Sequence, residues 1–275
     1  MIRARAFAKI NLSLRVTGVR RDGFHTLRTV FQSIALHDTL TFRAVKGPFR
    51  IACDDPACPV DESNLVWRAA ERLWTLGRRT GPLRDTSVRI VKRIPLRAGL
   101  AGGSTDAAAA IRALTSLWRI RPTRARIRSI ARELGADVPY FLEGGTALGT
   151  GRGDRLKPMR DALPAHVVVV VPPFGVSTRE AFAWWDRDRG RQDRVNDLQP
   201  VVAAEHPEID RIAEALRSQG ARAAALSGSG SAVFGLFDRR SAATFAGRAL
   251  AAHGRVFLTR TISRAEYGRL GEPAP

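Results

Sequence analysis

Residues 94–106 read Ile94-Pro95-Leu96-Arg97-Ala98-Gly99-Leu100-Ala101-Gly102-Gly103-Ser104-Thr105-Asp106, joining a β-branched run at 87–94 to an alanine-rich run that begins near Ser104. The pattern predicts a strand, a glycine-rich loop and a helix N-terminus in direct succession. The first turn of a helix has backbone N–H groups with no internal partner and carries about half a positive charge, so a loop that admits an oxyanion there makes an anion site. Three glycines beside Ser-Thr exceed what a tight turn needs, which makes phosphate the expected ligand. From these residues alone, a strand-to-helix turn packed over small side chains remains the alternative.

The familiar phosphate loops do not fit. No lysine precedes Ser104, so G-x-x-x-x-G-K-[ST] is absent, and the chain has no H-R-D, D-F-G or V-A-I-K element. Gly99, Gly102 and Gly103 do not match G-x-G-x-x-G, and the loop does not open a βαβ unit.

Working outward, Ala4-Arg5-Ala6-Phe7-Ala8-Lys9-Ile10-Asn11-Leu12-Ser13-Leu14 is a strand-like apolar run interrupted by Lys9 and Asn11. Polar groups in such a run must be paired or used, and residues two apart share one face of a strand. Asp137 stands in the apolar stretch 134–142, followed by a glycine-rich turn at 144–153; a third glycine cluster occupies 226–235. A carboxylate in a semi-apolar site beside a cation stays charged at pH 7 and can accept a proton. Lys9 and Asp137 fit a buried structural ion pair equally well on spacing alone.

The chain has 275 residues, enough for one large domain or two small ones. It shows no apolar run of membrane-spanning length and no cleavable apolar leader, so no membrane association is expected and the cytoplasm is the expected compartment. Cys53 and Cys58, in C-D-D-P-A-C, lack further ligands for a metal and are read as incidental thiols; the five histidines show no metal spacing. The formal charge of +19 raises nucleic-acid binding as a rival function, with its densest patch at 119–132. The arginines are spread along the chain without an RNA-binding signature or stacking aromatics, so a solvated basic surface is preferred and no nucleic-acid partner is expected.

Expected strands are 3–16, 26–36, 39–45, 49–53 and 87–94, with helices at 64–76, capped by Ser63, from Ser104 to Trp118, and at 123–134. The second half reads as a strand at 166–171, helices at 178–185 and 207–218, strands at 223–227 and 232–237, a helix at 241–253 and a strand at 256–261. That is an α+β plan compatible with a ferredoxin-like layer.

Taken in order, A-x-A-K-I-N-L at 6–12, D-G-F-H at 22–25, the glycine loop, G-A-D-V-P at 135–139, N-D-L at 196–198 and S-G-S-G-S at 227–231 span nearly the whole chain. This set resembles the GHMP kinase superfamily. The resemblance implies two domains, 1–155 with a ribosomal protein S5 domain 2-like fold and the glycine loop, and 156–275 with a ferredoxin-like fold, the active site lying between them. It implies an ATP-dependent small-molecule kinase using Mg²⁺. D-G-F-H and G-A-D-V-P point to the branch that phosphorylates the 2-hydroxyl of a cytidine diphosphate-linked methylerythritol in non-mevalonate isoprenoid precursor biosynthesis. Homoserine- or mevalonate-type kinases share the loop but have no need of Phe24 and His25.

By the same resemblance, Asp137 is the general base and Lys9 the catalytic cation. Residues 95–105, from Pro95, Leu96 and Arg97 through Ala98, Gly99, Leu100 and Ala101 to Gly102, Gly103, Ser104 and Thr105, wrap the ATP phosphates, with the Ser104 and Thr105 hydroxyls in direct contact. Phe24 stacks on cytosine, His25 bonds its edge, Asn11 faces the methylerythritol hydroxyls and Phe182 forms a second aromatic wall, although from the residues a hairpin turn at 22–25 and helix packing at Phe182 serve as well. No metal-ligating residue and no oligomeric state follow. The superfamily loop reads close to P-x-G-A-G-L-G-G-G-S-S-D-A-A; Arg97 and Ala101 stand where it has glycine, and Thr105 where it has serine.

Overall fold

A computed structural model describes residues 1–188 and 195–274. The first part of the chain forms β1 (Ile2–Val19), β2 (His25–Pro48), β3 (Arg50–Cys53), α1 (Leu65–Leu76), β4 (Arg84–Val91), α2 (Gly102–Leu117), α3 (Arg124–Leu134), β5 (Thr146–Gly151) and β6 (Arg155–Pro158). The second part forms β7 (His166–Val171), α4 (Thr178–Arg187), α5 (Gln199–Glu205), α6 (Glu208–Ser218), β8 (Ala223–Leu226), β9 (Val233–Phe237), α7 (Arg240–Ala249), β10 (Arg255–Arg260) and α8 (Arg264–Gly271). The α+β expectation holds.

In the first sheet, β2 pairs along one edge with β1, and along the other with β5 at Leu27–Gln32 and then β4 at Thr39–Pro48. Among the described strands of this sheet, β3 and β4 form the one parallel pair. The expected strands 26–36 and 39–45 are therefore one strand: Asp38, which breaks the apolar pattern, is fully buried and bonded instead of marking a turn. α2 lies across β1 and β2 with α1 beside it. Its run Ala107-Ala108-Ala109-Ala110 is buried on nearly every side, which small side chains permit because neighbouring elements can approach from several directions at once. At α1 the cap is Asn64, not Ser63: the Asn64 side chain accepts Val66 N–H at 2.8 Å, while Ser63 bonds to Asp61.

The second sheet is antiparallel in the order β10-β7-β9-β8, the order of a ferredoxin-like layer. The valines of β7 alternate between two cores. Val168 and Val170 face the core of α6 and α7, which includes Ile209, Ile212 and Ala243, whereas Val167 and Val169 face Ala8 and Ile10 of β1 together with Ile94, Ala98 and Leu100. Period-two burial on both faces thus seats the second sheet against β1 and the loop before α2. After β10 the chain returns to the first sheet: Tyr267 of α8 packs in the core with Phe7, and Ala274 bridges Arg3. The strands β5 and β6 lie within and just beyond the glycine-rich 144–153 stretch, and α5 and α8 were also not expected from sequence. The helix expected at 241–253 ends at Ala249, with a single 3₁₀ turn at Ala251–His253.

The N-D-L triplet fastens the two parts. Asn196 is fully buried and donates to Leu226 and Gly228 carbonyls, both at 2.8 Å. Asp197 accepts Val16 N–H at 2.9 Å and pairs with Arg15 at 2.6 Å. Removing the amide would leave buried carbonyls without donors, at about 1–3 kcal/mol each before relaxation. Asn196→Ala should therefore lower stability by about 2–4 kcal/mol, read as a reduced urea midpoint with unchanged slope.

Candidate active site

A cleft of about 1030 Å³ runs along the seam of the two sheets, walled by β1, the loop before α2, the Asp137 loop, α4 and the S-G-S-G-S loop. Lys9 sits on β1, on the opposite face from Ala8 and Ile10, and is 3% exposed. Its Nζ donates to Asn11 Oδ1 and to Gly99 O, each at 2.6 Å. Asn11 is held in turn, its Nδ2 donating to Thr29 Oγ1 at 2.7 Å. Burial lowers the Lys9 pKa, and the negative charge of Asp137 opposes that shift. Asp137, on the loop after α3, is half-buried and lines the same cleft. The two expected catalytic residues are thus brought together, with Lys9 oriented by Asn11 and the Gly99 carbonyl.

The loop before α2 is pressed against the S-G-S-G-S loop. Gly99 has φ +72°, and a Cβ there would stand 1.9 Å from Ser227 O, so only glycine fits. Gly99 O accepts Ser227 Oγ at 3.0 Å as well as Lys9, and Ala98 O accepts Ala232 N–H at 3.2 Å. At the start of α2, the first bonded amide is Thr105 N–H, to Ala101 O at 3.0 Å; Gly102, Gly103 and Ser104 precede it and line the cleft. Pro95, Leu96, Arg97, Ala98, Gly99 and Ala101 line it too. Leu100 and Thr105 do not: Leu100 is buried in the core shared with β7, and Thr105 is buried at the root of α2. A hydroxyl contact to a ligand at this helix end therefore falls to Ser104.

Beneath α2 lies a buried ionic cluster. Lys92 Nζ is 2.5 Å from Asp38 Oδ2 and 2.8 Å from Asp106 Oδ2, and Asp38 Oδ1 accepts Arg93 N–H at 2.6 Å and Ile94 N–H at 2.8 Å. This ties β2, the end of β4 and the first turns of α2 to one ammonium. Its two carboxylates share one cation, and Asp106 Oδ1 is buried without a hydrogen-bond partner. Burial first, and the Asp38 charge after it, push the Asp106 pKa up to about 7 against the pull of Lys92.

At the other end of the cleft, Phe24 is 52% exposed and carries the Arg152 guanidinium 4.5 Å from its ring centroid. His25 stacks on Phe182 at 4.4 Å, meets Trp185 edge-on at 5.5 Å, and its Nε2 lies 3.0 Å from Asp186 Oδ1. Phe24, His25 and Phe182 all line the cleft, as does Asn11. Sequence reasoning missed Arg152, Thr178, Asp186 and Ser229, which line it as well. Ser229 Oγ meets Thr178 Oγ1 at 3.1 Å, a contact between the third glycine cluster and α4 that no local spacing signals.

The model described as GHMP kinases N terminal domain matches residues 64–145, and that described as GHMP kinases C terminal matches 180–256. A 4-diphosphocytidyl-2-C-methyl-D-erythritol kinase of Chlorobium phaeobacteroides (strain BS1) is 40% identical, covering 94% of this chain and 96% of its own. Its namesake in Pelotomaculum thermopropionicum is 40% identical, covering 96% and 99%. A crystal structure of 4-(cytidine 5'-diphospho)-2C-methyl-D-erythritol kinase superposes with a TM-score of 0.80 at 33% identity, over 94% of this chain and 98% of that one. A homoserine kinase from Cytophaga hutchinsonii shares the fold, with a TM-score of 0.68 at 21% identity over 99% and 96%. The chain belongs to the GHMP kinases and, within them, to the family of the 4-diphosphocytidyl-2-C-methyl-D-erythritol kinases.

Arg97 and Ala101, the two residues that stand where the superfamily loop has glycine, both adopt left-handed backbone, with φ +52° and +58°. That conformation disfavours a Cβ, which accounts for glycine in the superfamily pattern. Ala101→Gly should raise stability by about 0.5–1 kcal/mol, seen as a higher thermal midpoint.

The Asp106 shift also predicts a pH dependence. Its folded pKa lies above the ordinary carboxylate value, so the native state holds the extra proton between about pH 4 and 7. The corresponding stabilisation is present below about pH 4 and lost as pH rises toward about 7. Between those limits the wild-type protein should lose up to about 4 kcal/mol from this group, and Asp106→Asn should flatten the profile, as measured by urea unfolding across pH.

Proposed function

We propose that this protein transfers the γ-phosphoryl group of ATP to the 2-hydroxyl of 4-diphosphocytidyl-2-C-methyl-D-erythritol, giving the 2-phosphate and ADP. The observation that carries this reading is a single cleft with an amide-rich helix start at one end, Lys9 and Asp137 in the middle, and Phe24, His25 and Phe182 at the other. Phosphoryl transfer asks the protein for in-line positioning and for stabilisation of charge spread over the transferred oxygens. The amides of Gly102, Gly103 and Ser104 and the N-terminal dipole of α2 supply the second. Asp137 takes the proton of the attacking hydroxyl on its carboxylate. Lys9 faces the developing charge, kept in place by Asn11 and Gly99 O, with its third N–H available to substrate.

Among the described residues no group of three His, Cys, Asp or Glu could hold a metal ion. This donor set suits Mg²⁺ carried in by the triphosphate, since that ion keeps several waters and takes one or two protein ligands beside phosphate oxygens. Ser104 Oγ and Asp137 are the residues that would hold it. When bound it would supply positive charge to offset the negative charge of the triphosphate.

Selectivity falls to the aromatic end: a ring face suits any nucleobase, and His25, fixed between Phe182 and Asp186, gives the directional hydrogen bond. Because β6 (Arg155–Pro158) still pairs with β5 in the first sheet, we place the division of the chain between Pro158 and His166, just after the 155/156 boundary expected from the sequence, and the enzyme in the cytoplasm, which suits its two free thiols.

ADP release is to be followed with ATP, Mg²⁺ and the cytidylyl acceptor, beside homoserine and mevalonate. Turnover should occur with the cytidylyl acceptor alone. Asp137→Asn should lower kcat by about 10² to 10⁴ with a native melting profile. Equal turnover with homoserine or mevalonate would refute the substrate reading.

A further inference from the structure

The register that ends β5 brings a cation to the aromatic end of the cleft. Gly151 pairs with Leu27 while His25 pairs with Val19, so the turn after β5 and the connection between β1 and β2 meet at one end of the first sheet. Gly151 and Gly153, at φ +69° and +94°, turn the chain and leave Arg152 at the apex. Arg152 N–H donates to Asp154 Oδ1 at 3.2 Å, and Gly153 N–H donates to Thr150 O at 3.1 Å, which fixes the backbone there. The guanidinium then lies on the Phe24 ring at 4.5 Å, within the cleft lining. Asp154, the nearest acid in sequence, faces the backbone of its own turn and the field of Arg20. Among the described residues no carboxylate pairs with the Arg152 side chain.

The other cations of the cleft have different placements. Lys9 is tied to Asn11 and Gly99. Arg97 belongs to the loop before α2 and lies against Gly175, and Arg179 is exposed on the first turn of α4. Among the described residues, Arg152 alone is stacked on Phe24. A guanidinium flat on an aromatic ring keeps its N–H edge free, and that planar fork matches paired phosphate oxygens in a way an ammonium does not.

We propose that Arg152 recognises the diphosphate of the nucleotide-linked acceptor, with Phe24 holding its guanidinium flat so that the N–H edge faces the phosphate oxygens. This rests on the acceptor assigned above. It makes Arg152 a determinant of acceptor binding that acts on the diphosphate separately from the base.

The test uses the full chain at saturating ATP and Mg²⁺, comparing wild type with Arg152→Gln and Arg152→Lys. Acceptor KM, ATP KM and kcat are measured, together with inhibition by CDP and by cytidine competing with the acceptor. Arg152→Gln should raise acceptor KM and weaken CDP inhibition on the order of 10- to 100-fold, with cytidine inhibition, ATP KM and kcat within about 2-fold of wild type. Arg152→Lys should fall between the two. An unchanged acceptor KM, an equal loss of cytidine and CDP inhibition, or a rise in ATP KM instead would overturn the proposal; the second result would mean that Arg152 only props Phe24. Wild-type protein that does not turn over the acceptor would overturn the assigned function itself, and that is read before any variant is made.

Discussion

The carbonyl of Gly99 is the point on which the cleft depends. It receives the ammonium of Lys9 from the first sheet and the hydroxyl of Ser227 from the loop between β8 and β9, so one backbone oxygen joins three distant parts of the chain. Such a junction requires two backbones at van der Waals contact, and a Cβ at Gly99 would overlap Ser227 O. Lys9 could otherwise relax into several rotamers along a strand face. Bonded to Asn11 and Gly99 O, it has one position, and that position is set by the same contact that places the start of α2. Cation and helix end are therefore aligned by one constraint.

The electrostatics of the α2 start have two layers. On the cleft side there are unbonded amides and no acidic residue in the first turn, which leaves the dipole uncompensated for a ligand. On the buried side Asp106, Lys92 and Asp38 anchor the helix with two carboxylates to one ammonium. Buried charges are poor stabilisers in general, because desolvation offsets their attraction, but they hold a particular geometry. Here they fix the first two turns of α2 relative to β2 and β4. The wider excess of basic residues adds a long-range field that favours approach of anionic nucleotides, an effect that salt would weaken.

Much of this was legible in the residues because it depends on short-range pattern. The strand, loop and helix around residues 94–106 follow from β-branching, glycine and alanine in sequence, and Lys9 and Asn11 stand out because polar side chains two apart in an apolar strand share a face. The alternating burial of Val167 to Val170 follows from the strand period. What stayed hidden depends on partners far away in the chain. Asp38 looks like a turn residue until Lys92 is seen beside it, and the glycines that mask β5 are admitted by pairing with β2. At α1 both Ser63 and Asn64 are good caps, and the choice is made by Asp61, which takes the Ser63 hydroxyl and leaves Asn64 to bond Val66. Thr105 matches the loop pattern in type, yet the helix period turns it inward while Ser104 faces the cleft.

The seam between the sheets explains why donor and acceptor chemistry fall in one cleft. β1 crosses the molecule with Ala8 and Ile10 packed on the second sheet and Lys9 and Asn11 on the opposite face, so a single strand both cements the two parts and brings the Lys9 ammonium to the cleft. Its end at Val19 and the start of β2 at His25 carry the aromatic site, while Leu100 O accepts the Lys9 amide at 3.4 Å from the glycine loop. The separation of the helix end from the aromatic end is thus set by strand rise, about 3.3 Å per residue, and not by flexible loops. A long acceptor with a base at one end and a reacting hydroxyl at the other suits a ruler of that kind. A short acceptor, with nothing to lay against Phe24 and His25, would leave that end of the cleft without a role.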